Sequence, residues 1–81
     1  MTVVTQHSET QEFSKISAGL TVTVAGFTND QLASKLMAMG ILPGSQLMLV
    51  RKAPFGGAWY VAIDQQFIAL RRQEAAAILV K

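Results

Sequence analysis

Groups able to do chemistry are few in this chain, and they stand apart from one another. The one histidine, His7, lies near the start, with Glu9 two positions on. The other carboxylates, Glu12, Asp30, Asp64 and Glu74, occur singly, so local spacing sets no two of them as the acid and base of a proton-transfer pair. Cysteine is absent, which removes disulfides, thiolate zinc sites and a cysteine nucleophile. No serine occupies the Gly-x-Ser-x-Gly elbow that projects a nucleophile from a strand end. Gly56-Gly57 is too short to cradle a phosphate and lacks the Lys-Ser/Thr such a loop needs; paired glycines of this kind mark a loop between strands. The expectation is a chain that is not an enzyme and holds no cofactor.

Charge narrows the binding classes. Net charge is +2, but Lys15, Lys35, Arg51-Lys52, Arg71-Arg72 and Lys81 fall on different predicted elements. A nucleic-acid binder of this size concentrates positive charge and adds aromatics that stack on bases. The aromatics Phe13, Phe27, Phe55, Trp59, Tyr60 and Phe67 mostly take core or turn positions, so no nucleic-acid partner is expected. Arg71-Arg72 reads as a solvated strand end.

The elements that would position any site follow from length and periodicity. Eighty-one residues make one small domain, close to the lower size for a self-sufficient core. A hydrophobic fraction of 51% is high for such a chain, leaving apolar surface for a partner. Apolar runs such as Leu47–Val50 are far short of a membrane span, and Met1–His7 lacks the basic start and apolar stretch of a signal peptide. A cytoplasmic address with no direct membrane insertion is expected.

Residues 1–12 are polar and read as a flexible leader, with the domain proper at 13–81 and Phe13 and Ile16 as its first apolar anchors. Thr21–Ala25 alternates with period two, a strand. Thr28 with Gln31 three residues on spells a capping box, and Phe27 is placed to staple onto Leu32, so a helix is predicted over about 28–39. Its apolar positions Leu32, Ala33, Leu36, Met37 and Met39 fall on one side, opposite Asp30, Gln31, Ser34 and Lys35. Gly40 ends the helix in a left-handed cap that lets Ile41 fold back on Leu36, and Pro43-Gly44 suits the middle of a type II turn. Strands are predicted at Ser45–Lys52, Trp59–Asp64 and Phe67–Leu70, with a loop at Ala53–Gly57 and a tight turn around Gln65. A short helical turn near 72–76 and a last strand, Ala77–Val80, complete the chain. About five short strands with one inserted helix make a mainly β fold, a small, strongly bent sheet or partly open barrel.

Four motifs in order carry a likeness. Gly26-Phe27, Leu36-x-x-Met39-Gly40-Ile41-x-Pro43-Gly44, Ala53-Pro54-x-Gly56-Gly57 and Ile68-Ala69-Leu70-Arg71-Arg72-x-Glu74-Ala75-x-x-Ile78-x-Val80 together resemble the ferrous-iron transport protein A (FeoA) family over residues 13–81. The resemblance implies an SH3-like β-barrel with an inserted helix. It also implies a small cytoplasmic accessory protein of bacterial ferrous-iron uptake, whose partner is the FeoB-type membrane iron transporter with its N-terminal GTPase domain. That partner would be regulated or assembled by it and would recruit it to the inner face of the membrane. The family often carries Gly in the turn where Gln65 stands, which leaves the turn type open.

Iron handling is expected to be indirect. Ferrous iron favours two imidazoles and a carboxylate, and a single histidine cannot supply them. His7 with Glu9 reads as a solvated tail, able at most to pick up adventitious divalent metal. Met37, Met39 and Met48 read as core or adaptable contact surface rather than ligands. The candidate partner-binding residues are Leu36, Met37 and Met39 on the helix, with Phe55 and Trp59 near the Pro-Gly-Gly loop. Thr28, Gly40, Pro43 and Gly44 are the structural cap and turn positions. Weak self-association is left open. The alternative is an SH3-like interaction module of the kind appended to metal-dependent transcriptional repressors, which would act alongside a separate DNA-binding domain.

Overall fold

Six antiparallel strands, two short helices and a 3-10 turn are built from these segments in the computed structural model, which describes residues 10–81. They are β1 (Gln11–Glu12), the 3-10 turn (Phe13–Lys15), β2 (Thr21–Phe27), α1 (Asp30–Ala38), β3 (Gln46–Lys52), β4 (Trp59–Ile63), β5 (Gln66–Leu70), α2 (Arg72–Ala76) and β6 (Ile78–Val80). Strand order across the sheet is β1-β6-β2-β3-β4-β5. The bend comes from β2, which pairs through Thr21–Thr23 with β3 and through Val24–Phe27 with β6, shifting register between Val24 and Gly26. A second register shift, between Leu49 and Arg51, lies where β3 meets β4. Irregularities of this kind increase twist and curl a sheet toward a barrel. The sheet stops short of closure, with β1 and β5 at its edges, and the partly open barrel expected from the strand pattern is what forms.

The sixth strand is the addition. Gln11 and Glu12, assigned to the leader, pair with Val80 and Leu79 of β6. Two polar residues joined to the sheet by backbone bonds carry no alternation to read. Phe13 follows immediately and is fully buried, anchoring this edge.

Helix α1 starts later than Thr28. The backbone N–H of Thr28 is taken by the carbonyl of Ala77 at 2.9 Å, which keeps Thr28 in line with β2. Asn29 is the cap instead, its side-chain oxygen accepting from the N–H of Leu32 at 3.0 Å. The predicted Thr28–Gln31 capping box is therefore not formed, and with the start moved by one residue Phe27 and Leu32 lose the staple spacing. Both still pack, half-buried, on the core.

The helix end matches its expected chemistry. Gly40 takes φ 97, its N–H donates to Met37 O at 3.0 Å, and Ile41 N–H donates to Leu36 O at 3.0 Å. Those two bonds are the Schellman pair. Leu36 and Ile41, brought together by them, are both fully buried. Next, Gly44 at φ 94 and the Ser45 N–H to Leu42 O bond of 2.8 Å close the Pro43-Gly44 turn. Gly44 N–H also donates to Val24 O and Val24 N–H to Ser45 O, each at 2.8 Å, so this turn is locked onto β2. In the β4–β5 turn it is Asp64, not Gln65, that takes the left-handed conformation, at φ 53. A short side chain that bonds locally makes Asp more tolerant of it.

Inside the curled sheet, Val24, Leu47, Leu49, Val61, Ile63 and Leu70 meet Phe13 from the 3-10 turn, Leu36 and Ile41 from the α1 end, and Ile78 and Val80 from β6.

Candidate interaction surface

Glu74 is the one buried charged side chain among the described residues, 3% exposed. Its Oε1 accepts from the N–H of Arg71 at 2.8 Å, capping α2, and its Oε2 pairs with the Lys35 ammonium on α1. Burial pushes its carboxyl up. The Lys35 and Arg71 contacts outweigh this and hold it below the ordinary carboxylate range. An ionised, fully engaged carboxylate of this kind ties two helices together and has no proton to deliver. Asp30 and Asp64 are exposed at the start of α1 and in the β4–β5 turn. No group of three or more His, Cys, Asp or Glu side chains comes together among the described residues. His7 and Glu9 lie outside the described residues.

The residues nominated for partner contact divide sharply. Leu36 is 0% and Trp59 7% exposed, so both serve the core and offer no surface to a partner, a correction to their nomination. Leu36 sits at the centre of the helix stripe, and Trp59 shares the inward phase of β4 with Val61 and Ile63. Met39 is half-buried against the core. Met37, one position further round α1, is 40% exposed, and Phe55 is fully exposed at its loop tip. Gly40, Pro43 and Gly44 form the cap and turn described above.

A larger apolar surface was not nominated from the sequence. Register places Thr21, Met48, Ala62 and Phe67 in one row across β2–β5, with Arg51, Tyr60 and Ala69 in the next row across β3–β5. These residues lie on the outward phase of the sheet, where Phe67 is 75% exposed and Tyr60 and Val50 are also open to solvent. A shallow concavity of about 240 Å³, lined in part by Thr21, Gln46, Met48, Ala62 and Asp64, adjoins it. The signal was present: Trp59–Ile63 and Phe67–Leu70 are apolar on both phases, whereas a sheet with one wet face alternates.

The other assembled feature is the β3–β4 end. The loop is closed by Ala53 N–H to Ala58 O at 2.8 Å and by Gly57 N–H to Pro54 O at 3.2 Å. At its tip both Phe55 (φ 59) and Gly56 (φ 73) are left-handed. Gly57 is required by space, since a Cβ there would lie 2.8 Å from Ala53 Cβ. The pairing of Lys52 with Trp59, and of Trp59 with Leu70, brings Arg71-Arg72 to the same end as Arg51-Lys52. Arg51 lies over the Tyr60 ring at 5.2 Å and Lys52 over the Trp59 ring at 4.2 Å. Four of the seven basic residues, apparently scattered along the chain, are thus gathered at one end. Between the loop and the start of α2 lies a concavity of about 570 Å³, lined by Gly56, Gly57, Ala58, Ala69, Leu70, Arg71, Arg72 and Gln73. No helix among the described residues is long and apolar enough to cross a membrane.

Comparison with known proteins places this geometry in a family. Among curated proteins none matches the chain significantly. The fold is shared with the FeoA-like protein from Clostridium acetobutylicum, at a TM-score of 0.81 and 27% identity, covering 89% of this chain and 85% of that one. It is shared with the Stenotrophomonas maltophilia FeoA complexed with zinc, described as a procaryotic SH3 domain protein, at a TM-score of 0.73 and 25% identity over 88% and 89% of the two chains. A manganese-dependent transcriptional repressor contains the same fold, at a TM-score of 0.78 and 28% identity, the match covering 89% of this chain and 41% of the repressor. The FeoA domain model itself matches residues 13–81, and the chain belongs to the FeoA family.

Proposed function

We propose that this protein is a non-catalytic, cytoplasmic accessory component of bacterial ferrous-iron uptake that docks on the FeoB-type GTPase transporter and regulates or assembles it. Family membership supplies the iron-uptake context. The observation that carries the docking is the outward face of β3–β5, where Tyr60 and the 75%-exposed Phe67 stand with Met48, Ala62 and Ala69, and Arg51 lies over the Tyr60 ring. A lone domain gains little from such a face, while a protein partner gains its burial. Met37 on α1 is a second exposed contact position. The non-catalytic reading is supported by the engagement of Glu74, the one buried ionisable group among the described residues, in capping and pairing.

The test is binding of the purified protein to the transporter's cytoplasmic region, with and without guanine nucleotide, and to the full-length transporter. Binding that weakens on Phe67→Ser supports the reading; no binding in any nucleotide state overturns it. The likeness to the repressor segment favours a second reading, an interaction module acting on a proline-rich or intramolecular segment. A transporter gene adjacent to this one favours the first, and a regulator gene lacking its C-terminal module the second.

A further inference from the structure

We infer that the β3–β4 end of the domain is a contact site for an anionic lipid surface, with the Phe55 ring entering the headgroup region and Arg51, Lys52, Arg71 and Arg72 facing lipid phosphates. Phe55 contributes nothing to the core, being fully exposed, yet it holds a left-handed backbone (φ 59) that bulky L-residues rarely adopt. Strain without burial in return points to a use outside the fold. The position would favour Gly or Asn on backbone grounds alone.

Charge says what lies opposite the ring. Arg51, Lys52, Arg71 and Arg72 are all exposed around the loop, and among the described residues the acidic side chains other than Glu74 lie elsewhere. Asp64 is at the far end of the β4–β5 hairpin, Asp30 begins α1, Glu12 is in β1, and Glu74 is buried and paired. An aromatic tip inside a basic collar suits the boundary between anionic headgroups and acyl chains. The aromatic protrudes and does not line a groove, and the adjacent concavity of about 570 Å³, bounded by small residues, Leu70 and Gln73, sets Arg71 and Arg72 where a phosphate-bearing headgroup would meet them. The expectation of no direct membrane insertion rested on the absence of a long apolar run; one side chain on a short loop leaves no such run. The inference does not rest on transporter docking, and Arg51 is the one basic residue that borders both this end and the outward sheet face.

The experiment is co-sedimentation with vesicles of phosphatidylcholine alone and of phosphatidylcholine mixed with phosphatidylglycerol, without transporter. Binding is expected only to the mixed vesicles and weakens as salt is raised. Arg72→Gln weakens it about fivefold, the effect of one basic charge near an anionic surface. Phe55→Asn, which keeps the left-handed backbone, also weakens it, while Phe67→Ser leaves it unchanged. Phe55→Trp gives an emission blue shift on mixed vesicles that the wild type, with Trp59 buried, lacks. Circular dichroism of each variant separates loss of fold from loss of contact. Equal binding to neutral vesicles, none to anionic ones, or wild-type binding by a folded Phe55→Asn variant would overturn the inference. So would Phe55-dependent capture of a soluble acidic peptide or an oligonucleotide without vesicle binding.

Discussion

Replacing Glu74 with Gln removes one charge from the junction of the two helices and leaves its shape almost unchanged. The amide oxygen can still accept the Arg71 N–H now bonded to Oε1 at 2.8 Å, so the α2 cap is weakened rather than lost. The ion pair to Lys35 disappears. Because the Lys35 side chain is 55% exposed, it returns to solvent and is not left as a stranded buried charge. The severe cost of breaking a fully buried pair therefore does not apply. What is lost is a charge-assisted bond and a half-screened pair, together about 1 kcal/mol at neutral pH. For a domain of this size that is a melting-point drop of about 4–8 °C.

The pH dependence follows from the carboxyl being held below its ordinary range when folded. The stabilisation by Glu74 is complete above the unfolded-state value, near pH 4 or a little higher, and is lost as pH falls through the lower folded value. The gap between wild type and Glu74→Gln should thus be constant around neutrality and close in acid. Thermal unfolding of both proteins across that window measures it. A gap that persists undiminished in acid, or a Gln variant as stable as wild type at pH 7, would refute the assignment of Glu74 as an ionised helix tie.

Other substitutions separate the roles of neighbouring residues. Asn29→Ala should cost about 1 kcal/mol through loss of the α1 cap, whereas Thr28→Ala should cost under about half that, read from denaturant midpoints. Leu36→Ala should destabilise by about 3 kcal/mol because it empties a fully buried site, while the exposed Met37→Gln should stay within about 0.5 kcal/mol and affect only partner binding. Phe55→Asn should leave stability unchanged or raise it by up to about 1 kcal/mol, since it relieves a left-handed Phe that buries nothing.

Much of the fold was legible because its decisive residues act locally. Gly40, Ile41 and Pro43-Gly44 write a helix stop and a turn in backbone terms that distant contacts only reinforce. Where two local options stood side by side, tertiary structure chose: Thr28 and Asn29 are both good caps, and the bond from Thr28 N–H to Ala77 O decided for Asn29. Strand β1 was hidden because Gln11 and Glu12 contribute backbone pairing and no pattern. The helix stripe correctly put Leu36 at its centre, but periodicity alone does not say how much of a stripe a small barrel covers. The gathering of Arg51-Lys52 with Arg71-Arg72 depends on cross-strand register through Trp59, a non-local fact. The outward face at Tyr60 and Phe67 was readable from strands apolar on both phases, and it is the surface on which the functional account now rests.

The most direct test of that account is the affinity of this protein for the FeoB-type transporter's cytoplasmic region, measured for wild type and Phe67→Ser in the nucleotide-free and guanine-nucleotide-bound states. The account predicts measurable binding in at least one state and at least tenfold weaker binding by the folded variant, the loss of about 1.4 kcal/mol or more expected for an aromatic anchor. Absence of wild-type binding in every state, or equal affinity for the two proteins, would contradict it.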